Sequence, residues 1–217
     1  MASLIVNQGG GKDFSIHPAV QTAARCTRII DLGTVEGTWE GKAKKQHKIV
    51  FGFESAELVG DDEGDFSGKP FLIIERFTAS LSDKANMRKF LEAWRGRKFT
   101  KQELDAFDLK NVLKAPCYVS MVHTDPNAQG KVYSNVSSIM PLPKGMTMPD
   151  PAGEVIFFSL NPNEPFDAAG YEKLGDYYKK AIAESDEYKA FHAPKSRPPA
   201  GQHRPHPPGP ADDDIPF

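Results

Sequence analysis

The sequence predicts a mainly β protein, with five strands around one hydrophobic core, a helical insert between the third and fourth strands, and a disordered tail after them. Three observations predict it. Apolar and polar residues alternate along several runs of strand length. The hydrophobic period changes to that of a helix between residues 82 and 107 and then reverts. Prolines gather near the end in PKSRPPAGQHRPHPPGP, a stretch too poor in apolar side chains to build a core.

Residues 1–13 are small and Gly-rich and are expected to hold no element. The segment RCTRIIDLGTV reads as a first strand, from about Ala23 to Val35, and Glu36–Lys45 reads as a turn-rich, increasingly basic connection. Gln46 to Leu58 alternates clearly, with Ile49, Phe51 and Phe53 on one side and Lys48, Val50 and Gly52 on the other. After an acidic loop over residues 59–69, Pro70 to Leu81 is a third strand, apolar on both faces at its start as a central strand would be. Met87, Phe90, Leu91 and Trp94 then fall on one helical stripe, with Ser82 or Asp83 as the cap and Gly96 as the stop. Thr100 and Glu103 form a capping box for a short second helix carrying Leu104 and Phe107. Two strands follow, at about 116–124 and 131–140, joined by Asp125, Pro126, Asn127 and Gly130.

Three strands, a helical insert and two strands is the order of the OB-fold, a small five-stranded Greek-key barrel. Beyond Pro141, Val155–Leu160 reads as a further strand, and Tyr171, Leu174, Tyr178 and Ile182 as a helical stripe packed onto the barrel. The expected division is one domain over 1–192 that includes this extension, a Pro/Gly-rich linker over 193–211 and an acidic tip over 212–217.

Composition narrows the function classes. Hydrophobic residues make up 39% and charged residues 26% of the 217, as in an ordinary globular protein. Cys26 and Cys117 sit far apart in apolar runs and read as small buried side chains, which suits a reducing compartment. Without a signal-peptide core or a run long enough to span a bilayer, a cytoplasmic protein with no membrane partner is expected. The net charge of −2 hides a segregation: Lys42, Lys44, Lys45 and Lys48 cluster, as do Arg88, Lys89, Arg95, Arg97 and Lys98, whereas acid collects at 61–65 and 212–214.

Catalytic and metal chemistry finds little footing. The run Asp61-Asp62-Glu63-Gly64-Asp65 lacks calcium-loop spacing, the histidines lack metal-ligand spacing, and no phosphate-binding Gly-x-x-x-x-Gly-Lys loop exists. No catalytic residue, cofactor or metal is predicted. A two-metal nuclease site assembled from separate elements is neither visible nor excluded.

The most specific signal is the terminus, Asp212, Asp213, Asp214, Ile215, Pro216 and Phe217. An acidic cluster ending in an aromatic residue with a free carboxylate suits a docking peptide: the ring enters a pocket and the charges meet a basic rim. DDDIPF resembles the C-terminal tip of bacterial single-stranded-DNA-binding proteins, and the linker before it resembles theirs. The stretch SDKANMRKFLEAWRGRKFTKQELDAFDLKNVL, between FTASL and CYVSMVH, resembles phage-encoded replication proteins of the single-stranded-DNA-binding type. These resemblances imply a non-enzymatic, sequence-tolerant binder that protects strands in replication, recombination or repair. They also imply a tip that recruits proteins of those processes, in a bacterial host cytoplasm. A decoy that only competes for host replication proteins, and a DNA-processing nuclease, are the alternatives.

Strand binding asks for a basic groove and aromatic faces. Trp39 stands among Lys42, Lys44, Lys45 and Lys48, as a stacking surface or as a plug at one end of the barrel. Lys131 and Tyr133 alternate outward on the last strand, and Arg76 and Tyr118 are further candidates by the same alternation. The Arg88–Lys98 cluster reads as a solvated helix face and Trp94 as core. A homo-oligomer through edge strands is possible, with no number specified.

Overall fold

The computed structural model describes residues 15–39, 41–60 and 64–193. The tip Asp212–Phe217, the linker before it and the acidic residues Asp61–Glu63 lie outside the described residues. Six strands form one sheet: β1 (Gln21–Trp39), β2 (Lys42–Leu58), β3 (Pro70–Thr78), β4 (Pro116–His123), β5 (Ser134–Met140) and β6 (Ile156–Phe158). Among the described residues five α-helices accompany them: α1 (Asn86–Arg95), α2 (Lys101–Asp105), α3 (Ala168–Glu172), α4 (Asp176–Ala183) and α5 (Asp186–His192). None among the described residues is long and apolar enough to cross a membrane.

The strand order is β3-β2-β1-β4-β5, every neighbour antiparallel, with β6 added parallel to β1. β1 organises the sheet. It pairs with β2 from Ala24 to Trp39, but with β4 only over Gln21–Arg25. A bulge between Cys26 and Arg28 bends it off β4, and β6 takes up the vacated edge at Arg28–Ile30.

Both faces of the β1–β2 pair are buried. One carries Ile29, Phe51 and Phe53, packed with Ile73 and with Met87, Leu91 and Trp94 of α1. The Trp94 indole N–H is satisfied by the Pro116 carbonyl at 3.0 Å, so this ring is core as the sequence indicates. On the other face Ile30, Leu32 and Val50 pack against Phe158, Leu160, Leu174 and Ile182. The C-terminal extension is thus a second layer on the same sheet. Both cysteines are buried free thiols, and burial pushes Cys26 up to about 12.

Several boundaries differ from the sequence reading. Glu36–Lys45 is not a turn-rich connection but the paired end of a long β1–β2 arm, turned at Gly41 with φ +75°. β3 is an edge strand rather than a central one: Leu72 and Ile74 are exposed, although its apolar start suggested two covered faces. The α1 cap is Ala85, which makes no side-chain cap bond, while the predicted cap Asp83 pairs with Arg88 instead. Gly96 does end α1, at φ 68°, and Thr100–Glu103 does form the capping box. Lys131 and Tyr133 precede β5 rather than alternate along it. The predicted single stripe from Tyr171 to Ile182 is broken into α3 and α4, yet all its residues join the second core.

That second core should belong to one cooperative unit with the sheet. Ile182 is fully buried, so Ile182→Ala should lower the unfolding free energy by about 2–5 kcal/mol. Urea unfolding followed by tryptophan fluorescence and far-UV circular dichroism should remain one transition. Two separated transitions would mean that the C-terminal helices fold apart from the sheet.

Candidate nucleic-acid interface

The arm carries its lysines in two different settings. Alternation puts Lys42, Lys44, Gln46 and Lys48 on one face of β2 and Lys45 with His47 on the other. The first face continues onto β3, where Lys48 pairs with Thr78 and Val50 with Arg76. The Lys48 ammonium donates to Thr78 Oγ1 at 2.9 Å. The Arg76 guanidinium donates to the Tyr177 hydroxyl at 2.7 Å and lies 5.4 Å from the centre of that ring. Tyr177, on α4, is 65% exposed. Partial burial, and then the charge of Arg76, hold the Lys48 ammonium below its ordinary pKa. Among the described residues the ion pairs engage other cations and leave Lys42, Lys44, Lys48 and Arg76 without a carboxylate. Among the described residues this face is therefore a row of positive charge without a paired carboxylate, ending on an exposed aromatic ring.

Lys45 is spoken for by Asp186 at 2.7 Å. It stands at the edge of a polar cluster that fastens α5 to the base of the arm. Glu187 accepts from the Thr34 amide at 2.6 Å and the Thr34 hydroxyl at 2.7 Å. His47 Nε2 lies 2.6 Å from Asp31 Oδ1, and its Nδ1 lies 3.4 Å from Glu187 Oε1. Gly33, at φ +72°, permits this approach: a β-carbon there would stand 2.6 Å from Ser185 Cβ.

The other predicted residues are placed apart. Trp39 opposes Lys42 in the register, but its side chain lies outside the described residues. Tyr118 belongs to β4, on the far side of β1 from β2, and its hydroxyl donates to the Gln21 carbonyl at 3.4 Å. Tyr133 lines the gap between β3 and β5 and is 52% exposed, while Lys131 stands in the loop before β5, its amide donating to Asn127 Oδ1 at 3.0 Å. In the Arg88–Lys98 cluster, Arg88 is paired with Asp83 and Glu92, and Arg95 and Arg97 with Glu103. Arg97, the Thr100 amide and Arg95 together hold the Glu103 carboxyl down at about 2. Three of the cluster's cations are thus compensated, and Arg88 and Arg95, at 17% and 12% exposure, are less solvated than their sequence suggested. Tyr177 escaped the sequence reading, although one signal was present: it stands one residue off the stripe through Tyr178, and so points away from the core.

The polar cluster has a pH signature. Its bond to Asp31 raises the His47 pKa above the ordinary 6.5, against opposing burial. Charged His47 therefore stabilises the folded state. That contribution is complete below the ordinary value and disappears as pH rises through the raised one. Thermal midpoints taken from about pH 6 to about pH 9 should fall across this window, and His47→Gln should flatten that part of the profile. An identical profile in His47→Gln would place the pH dependence elsewhere.

No protein-family model and no curated protein matches this sequence.

Proposed function

We propose that this protein binds single-stranded DNA without sequence-wide specificity, on the face formed by the β1–β2 arm and β3, and recruits partner proteins through its acidic tip. The single observation that carries the reading is the placement of Lys48 and Arg76 on neighbouring strands of one face, with no carboxylate paired to either among the described residues. Holding like charges together costs free energy unless an anion completes the site. A phosphate backbone running along Lys42, Lys44, Lys48 and Arg76 supplies that anion repeatedly. Tyr177, braced beneath Arg76, offers a face on which a base can stack.

The fold reading that accompanies this is an OB-type barrel of β1–β5, left unzipped between β3 and β5 and extended by β6 and α3–α5. It is supported by β1 pairing with both β2 and β4, by the β2–β3 and β4–β5 pairs, and by a helix between β3 and β4 that packs under the sheet. In such barrels the first hairpin and the faces of the second and third strands serve oligonucleotides. Here the same elements carry the uncompensated cations. Protection of strands in replication, recombination or repair follows from the resemblance of DDDIPF and of the helical insert to phage and bacterial strand-binding proteins.

Salt dependence tests the face directly. Changing Lys42, Lys44 and Lys48 together to Ala should make the slope of log K against log salt shallower by about 2 for an oligo(dT) ligand, about 0.7 for each lost contact. Lys45→Ala should leave the slope unchanged, because Asp186 already holds that ammonium. Equal effects of all the lysines would mean diffuse attraction rather than this face. No measurable binding of oligo(dT) at low salt would end the reading.

The tip is tested separately. Phe217→Ala should abolish capture of replication and repair proteins in a pull-down while hardly altering DNA affinity, because it removes the pocket anchor and leaves every charge in place. Equal capture by the full chain, by Phe217→Ala and by a chain lacking Asp212–Phe217 would reduce the tip to a solubilising tail.

A further inference from the structure

β3 and β5 are the two ends of the strand order. α1 packs against both, Phe90 meeting Phe77 at 4.8 Å, and closes one end of the space between them. At the other end, where both strands begin, a groove of about 360 Å³ stays open. Its walls are chemically uneven. Phe71, Leu72 and Ile74 provide apolar surface on the β3 side, and Tyr133 stands at the β5 side half exposed. Between them are the polar side chains of Glu75, Ser134 and Asn135, and the segment Ser15–His17 before β1 lines the same groove.

Two of these are not accounted for by the fold. Ser134 Oγ is buried without a hydrogen-bond partner among the described residues, an arrangement that costs free energy unless a ligand completes it. The Glu75 carboxyl is largely desolvated and raised above its ordinary pKa by that burial. The nearby Val136 amide only partly offsets this. A carboxylate has more acceptor positions than one amide fills.

We propose that this groove takes a single unstacked nucleobase, with Tyr133 as its stacking face and Glu75, Ser134 and Asn135 along its hydrogen-bonding edge, so that adenine or cytosine is favoured there over thymine. The inference rests on the strand-binding reading above and gives that binding one selective position. Cytosine offers an exocyclic amino donor for Glu75 and, next to it, a ring-nitrogen acceptor for the Ser134 hydroxyl. Adenine offers the same pair on its pairing edge. Thymine offers a carbonyl where the amino group would be, and sets it against the carboxylate. Aromatic stacking holds any of the bases equally well, so selectivity comes from the edge.

Oligo(dT) and oligo(5-methyl-dC) of equal length test this, because thymine and 5-methylcytosine differ only along the edge in question. Wild-type protein at fixed salt should bind the 5-methylcytosine strand about tenfold more tightly. Glu75→Gln, whose amide can face either a carbonyl or an amino group, should bring the ratio to within about twofold. Glu75→Ala provides the same readout by removing the carboxylate outright, should Glu75→Gln fail to fold. Equal wild-type affinities for both strands, or a preference for oligo(dT), would overturn the base pocket and leave strand binding standing. A selective wild type whose ratio survives in both variants would place the selectivity at another site. Failure to bind either strand would instead overturn the strand-binding reading itself.

Discussion

One carboxylate fixes the geometry on which the C-terminal half depends. Asp31 accepts from the Gly33 amide at 2.8 Å, from the Leu160 amide at 3.1 Å, and pairs with His47 at 2.6 Å. These partners belong to the bulged part of β1, to the segment leaving β6, and to β2. The bulge between Asp31 and Gly33 leaves Leu32 as the extra residue, and Leu32 is buried in the second core. Asp31 thereby satisfies backbone donors that the bulge and the end of β6 would otherwise leave open. With the register held there, Gly33 presents a bare backbone to Ser185, and α5 can seat Glu187 on Thr34.

This arrangement decides which cations remain free. The helices that cover the outer side of β1 and β2 bring their own charges to the arm. Asp186 and Glu187 arrive on the side of Lys45 and His47 and neutralise it. On the side of Lys48 the helical layer instead brings Tyr177 and Tyr178, which carry no counter-charge to Arg76. The same extension that completes the second core therefore polarises the arm, with one face compensated and the other left positive. Net charge over the whole chain, at −2, conceals this because the compensation is local.

What was legible in the sequence is what depends on local chemistry. The stripe of Met87, Phe90, Leu91 and Trp94, the Gly96 stop and the Thr100–Glu103 box announce α1 and α2 within the residues that form them. The arm did not announce itself. Gly37, Gly41 and a run of lysines read as a turn, yet a long ladder in register with β1 overrides their weak strand preference. β3 misled in the opposite sense: Phe71 to Ile74 is apolar on both faces, which suits a central strand, and only the strand order shows that Leu72 and Ile74 stay exposed. Lysine clustering pointed to the right region but could not separate Lys45 from its neighbours, because Asp186 lies 141 residues away in the chain.

The open seam between β3 and β5 has a physical reason of its own. Glu75 opposes Phe51 in the register, so an acidic residue occupies an inward-facing position on an edge strand, between Ile73 and Phe77. An apolar residue there would favour drawing β5 in and zipping the two edges together, or accepting the edge of another molecule. The carboxylate resists both, since continuous strand pairing would bury it more deeply, and desolvation already raises its pKa. The seam is then held near but not shut: α1 fills its closed end, and the open end keeps a polar wall beside apolar residues. A residue that guards an edge strand against wrong pairing thus also keeps hydrogen-bonding capacity at the surface, where a ligand smaller than a strand can use it.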